Sequence, residues 1–218
     1  MPARAKKKWQ VACSPEQFLV LRTRPDFQQL IALARWANAY RSITAAIPKH
    51  SKKTPAYIRQ KINSVLFIAA LVCEGWTLIK GMGEHYRTYP AWEKGFGPIL
   101  KNDRFRRLVE TRLGPLRNQA VFHFFADETA RRLAEHEPDG DPVVFLSTRG
   151  TKSHEASYDL ADLIAIRTLC PGPGQSAGAL FAQAEAVGEQ ISQLAPPFLK
   201  AADELIAEAL SRMGFKEQ

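Results

Sequence analysis

Apolar residues recur at three- and four-residue steps along most of this chain, the period of helices that bury one face. The first such run opens at Pro25-Asp26, where proline suits a first turn and the aspartate complements the helix dipole, and Pro48 ends it. The predicted helix covers 25–47, with Phe27, Leu30, Ile31, Ala34 and Ala37 facing inward and Asn38 as the polar end of the stripe. Thr54-Pro55 then supplies a cap and a first-turn proline for a second helix over 56–80. Its face of Ile58, Ile62, Val65, Phe67, Ala69, Val72, Trp76 and Ile79 is apolar nearly all round at mid-length, which places this helix at the centre.

Beyond it the pattern breaks. Gly81, Gly83, Pro90, Gly95, Gly97 and Pro98 predict a loop, with His85, Tyr86, Tyr89 and Trp92 either pinning it to the bundle or free to stack on bases. Burial is the commoner fate of such rings. Helical patterning resumes over 99–113 and 115–135, with a kink expected at Gly114-Pro115. The turn signal Pro138-Asp139-Gly140-Asp141-Pro142 precedes the one β-like run, 143–148, and predicts a small hairpin near 143–158 before a helix over 160–169. After the breaker 171–174, two alanine-rich helices are expected over 177–194 and 198–213, interrupted at Pro196-Pro197.

These elements describe a mainly all-α bundle. Residues 1–24 are read as a basic, flexible segment whose Lys6, Lys7 and Lys8 beside Trp9 could also meet a phosphate backbone. Residues 25–218 are read as one helical domain, with the bundle core at 25–136, a hairpin-and-helix insertion at 137–170 and C-terminal helices at 175–214. A length of 218 residues with 45% hydrophobic content suits one such core.

Composition narrows the chemistry. Cys13, Cys73 and Cys170 lie far apart without a Cys-x-x-Cys pair, so neither a disulfide framework nor a zinc site is expected, and Cys73 belongs to an apolar helical run as a core residue. No phosphate-binding glycine loop and no serine-hydrolase elbow occurs, and no cofactor or metal is expected. The basic opening is not followed by an apolar stretch of signal length before Pro15, and the most apolar stretch, 65–72, is too short to span a bilayer. A cytoplasmic location with no membrane partner is the expectation. The formal charge of +8 favours polyanions, although solubility alone would also account for it.

The sharpest chemical signal lies in 116–123, where Arg117-Asn118 is followed by His123. Pro115 would put Arg117 and Asn118 in the first turn of a helix, where backbone amides are unpaired and the dipole is positive. Six steps of about 100° place Arg117 and His123 roughly 120° apart around that helix, so they flank one groove. This arrangement resembles the HEPN superfamily of small helical bundles, whose motif is an arginine, commonly a polar residue, then four to six residues and a histidine. The resemblance covers the bundle from about Phe27 to Glu135 in architecture and only the motif in detail.

What the resemblance implies is metal-independent RNA cleavage by a homodimer with a composite site, in a toxin or phage-defence setting with an antitoxin or regulatory protein as partner. Arg117 would steady the phosphate, His123 would move a proton, and Asn118 would orient either. Asp127, one turn after His123, could pair with it, and Glu74, a carboxylate in an apolar helix, is a second supporting candidate. Arg104, Arg106, Arg107 and Arg112 form a basic cluster ahead of the motif that could line an RNA path or simply face water. A purely structural role also fits the motif, with Arg117 capping a contact and His123 packed among Phe122, Phe124 and Phe125. The alternative function is then a non-catalytic RNA-binding or protein-interaction module.

Overall fold

The computed structural model describes residues 11–46, 55–114, 167 and 177–217. Three long helices form its core: α2 (Pro25–Ala46), α3 (Pro55–Tyr86) and α6 (Ala177–Arg212). Between α3 and α6 in the chain come a π-helical turn (Trp92–Phe96), the short helices α4 (Gly97–Lys101) and α5 (Asp103–Arg107), and a second π-helical turn (Leu108–Leu113). A short helix α1 (Pro15–Leu21) precedes them, and β1 (Val11–Ala12) pairs antiparallel with β2 (Lys216–Glu217). The all-α expectation therefore holds for the described residues. The predicted hairpin near 143–158, the helix over 115–135 and the 160–169 helix lie outside them, apart from a buried Arg167.

Aromatic rings from every part of the bundle meet at Phe198. Its ring lies 4.6 Å from that of Trp36, 5.3 Å from Phe96 and 6.1 Å from Phe105, and Phe105 in turn stacks on Trp76 at 5.2 Å. These large rings decide which way α2 rolls. It buries Phe27, Leu30, Leu33, Trp36, Ala37 and Tyr40, so the inward stripe read from sequence is rotated: Ile31 is 44% exposed and Asn38 faces solvent. Both stripes have helical period, and burial of Trp36 and Tyr40 removes more apolar area from water than Ile31 and Ala34 would. On α3 the expected face holds except at Phe67, which is 45% exposed, and at Ile58, whose side chain lies outside the described set.

Glycine does not end α3. The helix continues through Gly81 and Gly83 to Tyr86 because Ile79, Met82 and Tyr86 are fully buried on one face, and tertiary packing outweighs a propensity cost of about 1 kcal/mol per glycine. This corrects both the predicted end at residue 80 and the length of the apolar stretch. Residues Gln60–Tyr86 are long and apolar enough to cross a membrane by length and composition, and 56% of the most apolar window is packed inside the bundle.

The predicted aromatic loop is largely helical. Tyr86 and Trp92 are buried as anchors, His85 is exposed, and Tyr89 lies under the Arg212 guanidinium, 4.3 Å from the ring centre. Gly95 lets the first π turn close on α6, since a Cβ there would sit 2.8 Å from the Cβ of Ala201. Gly95, read as a breaker, thus serves helix contact.

Pro196-Pro197 does not interrupt α6 either. Each proline removes one intrahelical bond, to the carbonyls of Ser192 and Gln193, and all four residues are on the exposed side where water can satisfy them. Ala195 and Phe198 beside them stay buried and hold the helix in place. The end of α6 is set by Gly214 at φ 82°, with Phe215 N–H bonded to the Leu210 carbonyl and Gly214 N–H to that of Ser211, both at 3.0 Å.

Part of the segment expected to be flexible is ordered. Ser14 caps α1 by accepting from Gln17 N–H at 3.2 Å, and the Gln17 side chain donates to the carbonyl of Met213 at the far end of the chain.

Candidate nucleic-acid interface

The helix expected over 99–113 is broken at Asn102, whose ψ of 106° is extended and whose side chain accepts from Phe105 N–H at 3.1 Å. That cap starts α5 in a new direction, with Phe105 buried against Trp76 and Arg104, Arg106 and Arg107 directed outward. The chain then enters the second π turn, against which the Cys73 thiol points from α3, 3.9 Å from the carbonyl of Val109. Cys73 is buried there, in the core role read from sequence.

The π turn rearranges the arginines. In an α-helix, residues five apart lie about 140° around the axis. Hydrogen bonds closing at i+5 bring such residues onto one face. Arg107 caps the π turn and Arg112 lies within it, five residues on, and both line a groove of about 470 Å³ together with Arg104. Thr111 lines the same groove, and Gln190 and Leu194 of α6 form its other wall.

Electrostatics in this groove are one-sided. None of Arg104, Arg107 and Arg112 forms an ion pair among the described residues, so three permanently charged guanidiniums share one concave surface. The nearby carboxylate of Glu110 is engaged elsewhere. It accepts from the Trp76 indole N–H at 3.0 Å and from Lys80 Nζ at 3.1 Å, and these two bonds hold its pKa below the usual carboxylate value. Arg106 is separate from the other three: it pairs with Asp103 at 2.6 Å and is not part of the groove lining.

The structure thus brings together three of the four arginines singled out by sequence. Glu74 is half-buried on α3, one residue past Cys73. Arg117, Asn118, His123 and Asp127 lie outside the described residues. Sequence reading missed Thr111 and Gln190, and for Gln190 it had no signal to use, because 78 residues separate it from Arg112 and only the packing of α6 makes them neighbours. Among the polar side chains of α2, Arg41 forms an ion pair with Asp203 of α6 at 2.6 Å, Asn38 is exposed and Tyr40 is buried. No group of three or more His, Cys, Asp or Glu side chains able to hold a metal gathers among the described residues.

Comparison with known proteins finds no matching protein family, no matching curated protein and no matching solved structure. The chemistry of the groove and the motif therefore carries the functional argument by itself.

Proposed function

We propose that this chain is a metal-independent endoribonuclease of HEPN type, with the arginine groove as the track for the RNA backbone. The observation that carries this reading is the convergence of Arg104, Arg107 and Arg112 on one groove, with Arg112 only five residues ahead of Arg117 in the chain. Guanidinium forks match phosphate oxygens in pairs, and three of them without an ion-pair partner among the described residues gain most from a polyanion. A groove lined in this way favours RNA over a protein surface.

In the proposed reaction the ribose 2′-oxygen forms a bond to the adjacent phosphorus as the bond from phosphorus to the 5′-oxygen breaks. A 2′,3′-cyclic phosphate and a 5′-hydroxyl result. His123 transfers the proton, either taking it from the 2′-hydroxyl or giving it to the leaving oxygen, with Asp127 favouring its charged form. Arg117 stabilises the added negative charge in the transition state, and Asn118 orients the phosphate or the imidazole. Pairing of two such motifs in a homodimer, a cytoplasmic role in defence and control by an antitoxin-like protein belong to the same proposal.

Cleavage of a mixed RNA pool in EDTA tests it, with the wild type beside Arg117→Ala and His123→Ala and folding followed by circular dichroism. Cleavage by the wild type and loss in both folded variants is the expected result. The groove itself favours a second reading, since binding a backbone there needs no proton transfer: a non-catalytic RNA-binding module. Salt-dependent RNA affinity without cleavage by the wild type would select that module instead.

A further inference from the structure

A second cavity, of about 480 Å³, opens between α2, α3 and α6, away from the arginine groove. Its volume is in the range of small-molecule sites, and Val65, Ile68 and Ile191 give it apolar walls. Tyr40 also lines it. That residue is only 4% exposed, yet its hydroxyl has no hydrogen-bond partner among the described residues. With its ring buried and its hydroxyl without a partner among the described residues, Tyr40 keeps hydrogen-bonding capacity toward whatever fills the cavity.

The polar groups around it share one bias. Thr44 Oγ1 donates to the carbonyl of Tyr40 at 2.9 Å, Ser64 Oγ to that of Gln60 at 2.7 Å, and Ser192 Oγ to that of Glu189 at 2.7 Å. Each hydroxyl has spent its one proton on its own helix, which leaves oxygen lone pairs as its remaining hydrogen-bonding capacity. The charged groups point the same way. Lys61 Nζ is neutralised by Glu185 at 2.5 Å, whereas Glu189 has no ion pair among the described residues. In a chain of charge +8, this cavity is acceptor-rich and carries a net negative charge.

We infer that the cavity binds a small cationic amphiphile, an ammonium ion on a compact apolar body, with the ammonium donating to Glu189 and the hydroxyl oxygens and the apolar part against Val65, Ile68 and Ile191. An anion would face the carboxylates of Glu185 and Glu189, and a neutral hydrocarbon would leave the Tyr40 hydroxyl and the Glu189 carboxylate without a partner. The site is independent of the proposed ribonuclease chemistry.

Isothermal titration calorimetry of the full chain with hexylammonium, using hexanoate as the charge-reversed control, tests this. Saturable binding of hexylammonium and none of hexanoate is expected. Glu189→Gln, at an exposed position, removes the charge-assisted bond and should weaken binding about tenfold or more. Tyr40→Phe keeps the ring in the core and should weaken it several-fold. The proposal is overturned if hexanoate binds as well as hexylammonium, if the wild type shows no saturable binding, or if both folded variants bind as the wild type does.

Discussion

The indole of Trp36 occupies the space where a Cβ on Gly75 would sit, with Cε2 only 2.6 Å from that position and the indole N–H donating to the Leu71 carbonyl at 2.6 Å. The ring cannot retreat, because Tyr40 and Phe198 hold it at 5.6 Å and 4.6 Å. Gly75→Ala should therefore destabilise the fold by about 2 kcal/mol, overpacking outweighing the helix propensity gained. At Gly81, on the same helix, a Cβ meets nothing within 4 Å, and Gly81→Ala should stabilise by about 0.5–1 kcal/mol. Urea denaturation of the two variants checks both signs.

Three guanidiniums in one groove make a salt-dependence experiment decisive. Each phosphate contact with single-stranded RNA contributes about 0.7 to the slope of log affinity against log salt. Replacing Arg104, Arg107 and Arg112 together with alanine should lower that slope by about 2. Arg106→Ala, which removes only the exposed pair with Asp103, should leave it unchanged. Fluorescence anisotropy of labelled single-stranded RNA across a salt series reads both.

Asn102 sets the direction from which α5 presents its arginines. Asn102→Ala removes the bond to Phe105 N–H and should cost about 1 kcal/mol, while Asn102→Asp should retain the cap. If the cap also positions the groove, RNA affinity should fall in the alanine variant and persist in the aspartate one. Thermal unfolding and anisotropy, run on the same samples, separate the two effects.

Two buried tyrosines predict alkaline sensitivity. Burial pushes the Tyr40 phenol up to about 12, and it raises Tyr86 further, whose hydroxyl donates to the Asp26 carbonyl at 2.6 Å. Folded values above the ordinary 10 mean that the unfolded chain releases these protons first, so stability is full below pH 10 and falls as pH rises toward the folded values. Each tyrosine should contribute a slope of about 1.4 kcal/mol per pH unit in that window. Tyr40→Phe and Tyr86→Phe should each flatten the stability curve by one such slope, measured by urea denaturation between pH 9 and pH 12.

Local signals were legible in the sequence. Pro25-Asp26 opens α2 and Pro55 opens α3 because first-turn geometry depends on neighbouring residues alone. Helical period, the central place of α3, the core role of Cys73 and the burial of Tyr86 and Trp92 follow from residue type and spacing. The arginine cluster was visible as charge along the chain, and the Arg117–His123 motif is visible only there.

Tertiary structure decided what depends on partners distant in sequence. Gly81, Gly83, Pro196 and Pro197 are breakers by propensity, yet burial of Met82 and Tyr86 around the glycines and of Ala195 and Phe198 beside the prolines keeps α3 and α6 continuous. The roll of α2 was set by Phe198 of α6 against Trp36, a contact between residues 162 positions apart. Arg107 and Arg112 came to one face through a π turn that no local residue pattern announces, and Gln190 and the Tyr40 cavity exist only because α6 packs where it does. Propensity costs about 1 kcal/mol at a helical glycine and about 3 kcal/mol at a helical proline, whereas each large side chain buried contributes about 1.5–3 kcal/mol, so several buried side chains around each breaker let the packing win.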